Sequence, residues 1–306
     1  MSVLPRLRRD QLVSTFAAEH AAALLVDDGA RVLFETIDAY GGCYRPSRAA
    51  SGAARAASTP AHNPATGPLF VCGTEPGDGL SVRIERIELG ETGYVAVRNG
   101  IGVLHQTPVE PRVVRFAVRP DGLWLEERLC LPLRPMVGTI GVAPAAGEVP
   151  TLEQGYHGGN LDCREITAGT TVHLPVHVPG ALLCLGDVHA NMGSGEAFSG
   201  VNIDADVTVS VSRVPAAGWH HPWFETAGEI MTVGVEPTTD AAIRAAVADM
   251  AGLLRARLGV DPAEALALIG AACDVRLGQA SVFGVRVSAY AAFPRSALPV
   301  PGAESA

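Results

Sequence analysis

The feature that most constrains this chain is a period of two. Between Leu24 and Val214, short runs alternate apolar and polar residues, and Gly, Pro, Asp or Asn bound each run. In "LLVDDGARVLFETIDAYGG" the turn Asp27-Asp28-Gly29 leads into a run with Val32, Phe34 and Thr36 on one face. Side chains two apart in an extended chain share a face, so this spacing predicts a half-buried strand. "GLSVRIERIEL" sets Val82 and Ile84 against Arg83 and Glu85, then brings in Ile87 and Leu89. "VVRFAVRPDGLWLEERL" reads as a hairpin closed at Pro120-Asp121-Gly122. "TTVHLPVHVPGALLCLGD" and "VNIDADVTVSVSRV" read as further strands, with the prolines of the first marking bends or edges. Short strands at this spacing predict a mainly β fold, with a β-sandwich or barrel-like domain.

After Val214 the period changes. "PTTDAAIRAAVADMAGLLRARLG" predicts an amphipathic helix with Ile243, Val247, Met250 and Leu254 along its apolar face. Thr239 or its neighbour caps the start and Gly259 ends it. "DPAEALALIGAA" opens with Asp261 as N-cap, Pro262 in the first helical position and Glu264 as capping-box partner. A closing alternating strand is expected in "VFGVRVSAY". The chain thus divides into a β-rich part, 1–215, and a smaller α+β part, 216–306. Between Arg45 and Pro60, "RPSRAASGAARAASTP" has no periodic apolar face and predicts a surface loop.

Composition excludes some classes. With 306 residues and 48% hydrophobic content, the chain can bury a substantial core. It carries a net charge of -9 and no Lys, which argues against a nucleic-acid binder, since that would show a basic patch. Gly, Pro or charge breaks every apolar run well short of the ~20 residues a membrane span needs. The N-terminal stretch lacks the long apolar core of a signal peptide. Six scattered cysteines without a CxxC pair predict reduced thiols and a cytoplasmic location.

The chemistry concentrates in "LCLGDVHANMGSGEAFSG". Asp187 and His189 are two apart in a strand-like run, so they project to one point. The glycines of "MGSGE" turn the chain back, and Glu196 is expected to open the returning strand beside them. Carboxylate and imidazole are ligand types for zinc and similar ions. A solvated hairpin tip accounts for the same spacing about equally well. In "GYHGGNLDCREI" a double glycine lies beside His157, with Asn160 and Asp162 on one face if the segment is extended; a plain turn is the alternative. Asp38 stands at a strand end before Gly41-Gly42, where ordinary turn chemistry is the simpler account. Asn63-Pro64 reads as scaffold. Ser194 lacks the glycine two residues before it that a nucleophile elbow needs, because Met192 is there. Cys163 or Cys184 beside a histidine could instead serve as a thiol nucleophile.

Taken in order, "FETIDAYGG", "NPATGPLFVCGTEPGDGLSVRI", "IGVAPAAGEVPT", "HGGNLDCREI", "LPVHVPGALLCLGDVHANMGSGE" and the closing strand resemble the motifs of the acetamidase/formamidase family. The resemblance runs from about Leu24 to Pro294. It departs where the family's "GDGE" is here Gly193-Ser194-Gly195-Glu196, and in the Ala/Ser-rich stretch after Arg45. It implies a mostly β enzyme that hydrolyses short aliphatic amides to a carboxylate and ammonia. It also implies a divalent metal, with zinc as the expected ion, and a homo-oligomer. On that basis Asp187, His189, His157 and Asp38 are the expected metal ligands. Glu196 is the expected general base, and Asn160 and Asp162 the expected orienting residues. The partner would be a small amide, not nucleic acid or membrane. Two other readings stand beside this one. One is a thiol amidase using Cys163 or Cys184; the other is a metal-stabilised small-ligand binder without catalysis.

Overall fold

The computed structural model describes residues 4–44, 63–215, 217–280 and 286–298. The fold is mainly β. The stretch expected as a surface loop, Arg45 to Pro60, lies outside the described residues.

Two large sheets carry the molecule. One has nine strands and includes Arg31–Thr36, Gly79–Leu89, Thr171–Pro175 and Ala205–Val214. The other has Leu183–His189 at its centre, flanked by Met136–Gly141 and Ala65–Val71. Their apolar faces meet in one core. Val32, Phe34, Val82, Ile84, Val207 and Val209 come from the first sheet; Leu69, Val71, Val137, Ile140, Leu185 and Val188 come from the second. The Val32–Phe34–Thr36 face is buried as the period of two requires. The Arg112–Arg119 and Gly122–Leu125 strands form the expected hairpin, in a smaller four-stranded sheet.

One slip in the sequence period has a structural counterpart. Apolar residues fall on even positions at Val82 and Ile84 but on odd positions at Ile87 and Leu89. Against Ala205–Val214 the register shifts between Thr208 and Val209, so that Thr208 faces Arg86 and Val209 faces Ile84. The bulge absorbs Glu85 and returns Ile87 and Leu89 to pack on the core.

Beyond residue 215 the nine-stranded sheet continues through Trp223–Glu225, Glu229–Glu236, Val287–Pro294 and Asp274–Leu277. Hydrogen bonding is therefore continuous across that boundary. The closing strand, Val287–Pro294, ends four residues beyond the expected Tyr290, and Val282 to Val285 lie outside the described residues. The Thr239–Leu258 helix is capped by Thr238, whose side chain accepts from Ala241 N–H, and ends at Gly259 with φ 67°. The Pro262–Ala272 helix has the full capping box of Asp261 and Glu264. The fully buried stripe of the first helix is Ala242, Ala246, Met250 and Leu254; Val247 packs half-buried against it, and Ile243 is half-buried while the unexpected Ala242 is fully buried. The cause is close approach: the helix lies directly on Gly234, where a Cβ would run into the backbone of Ala242 and Ala246. So close a contact favours the small Ala242 and Ala246 at its centre, with Val247 packed beside it.

Candidate active site

The central strand Leu183–His189 is buried along its whole length. Rigid pairing to Met136–Gly141 on one side and Ala65–Val71 on the other fixes its end in space. His189 pairs with Met136 and Gly186 with Thr139, while Asp187 and Gly138 face each other between them. Asp187 has φ 53°, yet its Oδ1 lies 3.4 Å from His189 Nε2. The expected convergence of these two side chains is present.

The segment that follows is not the expected hairpin between adjacent strands. It leaves the sheet at Ala190 and returns at Val201, where Ala190 N–H bonds Val201 C=O and Val201 N–H bonds Asn191 C=O. Asn202 then bridges to His189 and Tyr94, and the chain crosses into the other sheet at Ala205–Val214. Glu196 sits in the loop itself, with φ 35°. The glycines close an excursion around the strand end, and that excursion carries the Glu196 carboxylate over the site.

There, one donor atom each from Asp162, His189 and Glu196 all lie within 4.8 Å of one another. Asp162 Oδ1 is 3.4 Å from His189 Nε2. All three residues, and Asp187, are at most 5% exposed. Three buried carboxylates thus surround one imidazole. Among the described residues no guanidinium pairs with any of them. Burial is the main force on Glu196, and the charges of Asp162 and Asp187 add to it; its pKa stands well above the usual carboxylate range. Burial likewise pushes Asp187 up to about 7, with His189 opposing and Asp162 reinforcing. For His189 burial works against the charged ring, but Asp187 and Asp162 outweigh it and raise its pKa. Among the described residues the cluster has no guanidinium to balance its three carboxylates, and several of its polar atoms lack partners. Asp162 Oδ1, Asp187 Oδ1 and both His189 ring nitrogens are buried without a hydrogen bond. Atoms of this kind normally find a partner. A divalent cation fits both deficits, since oxygen and imidazole nitrogen are the donors present.

Backbone strain marks the same place. Seven described non-glycine residues have positive φ, and four of them are Asn63, Asp162, Asp187 and Glu196. Each such residue costs on the order of 1–3 kcal/mol and persists where surrounding structure enforces it, commonly at functional sites.

The remaining expected residues lie around or outside this cluster. Asn160 is buried, and its Oδ1 accepts from Thr139 Oγ1 (2.6 Å) and Asn63 Nδ2 (2.9 Å). Asn63, read as scaffold, therefore belongs to the polar wall of the site, and it also favours ionisation of Asp187. His157 and Asp38 are not in the converging set. His157 packs edge-on against Phe16 at 5.0 Å, and burial holds its pKa down to about 4. Asp38 is buried and spends its carboxylate on the Tyr94 hydroxyl and Tyr40 N–H, which leaves it a neighbour of Asp187 by charge only. Cys163 is fully buried, donates to Glu165 at 3.1 Å, and has its thiol pKa raised by that burial. Cys184 is buried with only Leu182 C=O as partner, and its thiol pKa is also raised. Among the described residues neither thiol has the imidazole partner a nucleophile needs.

One site residue carried no signal in the sequence. Gln279 Nε2 donates to Asp162 Oδ2 at 2.6 Å and to Glu196 Oε2 at 3.0 Å. It comes from the C-terminal part, so the site joins both halves of the chain. Two surface clefts, of about 580 and 460 Å³, have no cluster residue in their lining.

Fold and site together define a two-sheet β protein built around a buried carboxylate–imidazole centre. Residues 9–152 and 145–282 match the model of the Acetamidase/Formamidase family. The chain belongs to that family. Its fold superposes on a recombinant predicted acetamidase/formamidase of Thermoanaerobacter tengcongensis with a TM-score of 0.89, at 31% identity over 95% of each chain. The acetamidase of Bacillus halodurans gives 0.88 at 34% identity, covering 94% of this chain and 97% of that one. A formamidase of Methylophilus methylotrophus is 40% identical over 94 residues, 29% of this chain. The matched stretches span 59% and 23% of the length of the curated relatives.

Proposed function

We propose that this protein is an amidohydrolase that cleaves formamide- or acetamide-like substrates to a carboxylate and ammonia with a bound divalent metal, zinc suiting the donor set. The observation that carries the proposal is the set of unpartnered donor atoms on Asp162, Asp187 and His189, buried with Glu196 and, among the described residues, with no guanidinium to balance the three carboxylates. Family membership supports the reaction class. In this scheme Asp162, His189 and Glu196 hold the ion, which departs from the expectation for Asp162 and Glu196. A divalent metal held by these residues would lower the pKa of a bound water toward ~7 and polarise the amide carbonyl.

Asp187 is the carboxylate left over, and it takes the proton of the attacking water. As the C–N bond breaks, the same proton passes to the leaving nitrogen, so ammonia departs, and the carboxylic acid formed gives up its remaining proton to become the carboxylate. Asn160, held by Asn63 and Thr139, orients the amide. A site this buried admits small substrates. A cytoplasmic location and a homo-oligomer belong to the same proposal, the first supported by six unpaired cysteines.

The test is ammonia release from formamide, acetamide, propionamide and urea by metal-analysed protein, before and after chelation. Activity that needs the metal and returns with zinc supports the proposal. Equal turnover by fully stripped protein removes the metal from it.

A further inference from the structure

We infer that Gln279 is a positioning residue for the metal site, acting on the ion through Asp162 and Glu196. The inference rests on the metal reading above. Gln279 is 4% exposed and is fixed at both ends. Its N–H donates to Ser288 Oγ at 2.8 Å, and its C=O accepts from Ser288 N–H at 3.2 Å. The next residue, Ala280, donates its N–H to Gly195 C=O at 2.9 Å, one residue from Glu196. At the other end Gln154 Nε2 donates to Gln279 Oε1 at 3.3 Å. That bond sets the polarity of the amide: with its oxygen toward Gln154, the NH2 group must face the two carboxylates.

The NH2 group has two hydrogens, and it meets two acceptors. Asp162 Oδ2 and Glu196 Oε2 are both occupied. The bridge offsets repulsion between the two carboxylates, both of which are buried. It also divides the labour of the Asp162 carboxylate. Oδ2 is held by Gln279, while Oδ1, unpartnered, faces His189 Nε2 at 3.4 Å. Groups that hold metal ligands in this way set their orientation, and losing one typically costs 10–100-fold in metal affinity.

The experiment is a zinc titration of metal-stripped full-length protein against a chromophoric chelator, with the thermal midpoint of the stripped protein measured alongside. Gln279→Met keeps the length of the side chain and deletes the donor. Its zinc Kd is expected to rise about 10–100-fold, with a lower kcat at saturating zinc and little change in KM. An unchanged Kd with a lowered midpoint makes Gln279 a structural residue and overturns the inference alone. Wild-type protein that binds no zinc overturns the metal reading and this inference with it. If Gln279→Met does not fold, Gln154→Met is measured instead. It frees the amide to rotate, so zinc binding weaker than wild type is expected, and an unchanged Kd overturns the inference.

Discussion

A Cβ added to Gly138 would stand 2.5 Å from Asp162 Oδ1, the unpartnered oxygen that faces His189. It would also stand 2.8 Å from Asp187 C=O and 3.0 Å from Asp187 Oδ2. Real Cβ atoms do not approach so closely, and the Asp187 backbone cannot yield without disturbing the central strand. Gly138 is therefore the space that lets both carboxylates reach the imidazole. Gly138→Ala is expected to destabilise by roughly 1–3 kcal/mol, the usual cost of overpacking, and to lose zinc binding. Thermal melts and metal analysis check this. A variant with wild-type zinc content would show that Asp162 has room to move.

Stability should fall with acid for a reason outside the site. His173 is 9% exposed, stacks on Trp223 at 3.8 Å and is bonded to Ser81 Oγ at 2.8 Å. Burial, helped by Arg257, holds its pKa down to about 3. Above ~6.5 the ring is neutral in both folded and unfolded chains, so its contribution is fully present there. Between ~6.5 and ~3 only the unfolded chain binds the proton, which costs roughly 1.4 kcal/mol of stability per pH unit. The difference between wild type and His173→Phe in denaturant melts from pH 7 to pH 4 should show this slope, the other titrating groups being common to both. A slope unchanged in the variant would place the acid sensitivity elsewhere.

Much of the fold was legible because its determinants are local. The Val32–Phe34–Thr36 face, the hairpin at Pro120-Asp121-Gly122 and the Asp261 capping box each depend on residues a few positions apart. Even the bulge at Glu85 left its trace as a slip in the apolar phase. Asp187 and His189 were legible for the same reason, being two apart on one strand. Gln279 was not. It stands 117 residues from Asp162 and 83 from Glu196, and only the return of the nine-stranded sheet brings it there. Asp162 was recognised as a polar neighbour but not as a converging donor. Its position depends on a positive φ and on the space above Gly138, and neither shows in residue spacing. Met250, Leu254 and Val247 of the helix face are legible from its period, but the burial of Ala242 and Ala246 follows from close approach to Gly234, which spacing does not show.

Substrate size follows from the burial of the site. Among the described residues no guanidinium pairs with the cluster to anchor a charged substrate, and its carboxylates are at most 5% exposed. A wall that reads only shape separates substrates differing by one methylene by about 1–3 kcal/mol. Formamide and acetamide should then both be turned over, with kcat/KM values within roughly 10–200-fold of each other. Steady-state ammonia release decides it. A strong preference for a charged or long-chain amide would mean that another part of the chain supplies the substrate contacts.

The roles of the two remaining acids can be separated by replacing each with its amide. Glu196→Gln keeps the shape and the Gln279 contact region but removes a charge that burial already disfavours. If Glu196 holds the ion, this variant should lose metal, and its stripped form should melt higher than stripped wild type, because less like charge is buried. Asp187→Asn leaves Asp162, His189 and Glu196 in place, and asparagine tolerates the φ of 53° at this position. If Asp187 takes the proton, that variant should keep its metal and lose roughly 10²–10⁴ in kcat, the usual contribution of a general base. Metal content and turnover, measured on both purified proteins, make the contrast. The reverse pattern, with Asp187→Asn metal-free and Glu196→Gln loaded but slow, would exchange the two roles. Full activity in both would place the chemistry outside this cluster altogether.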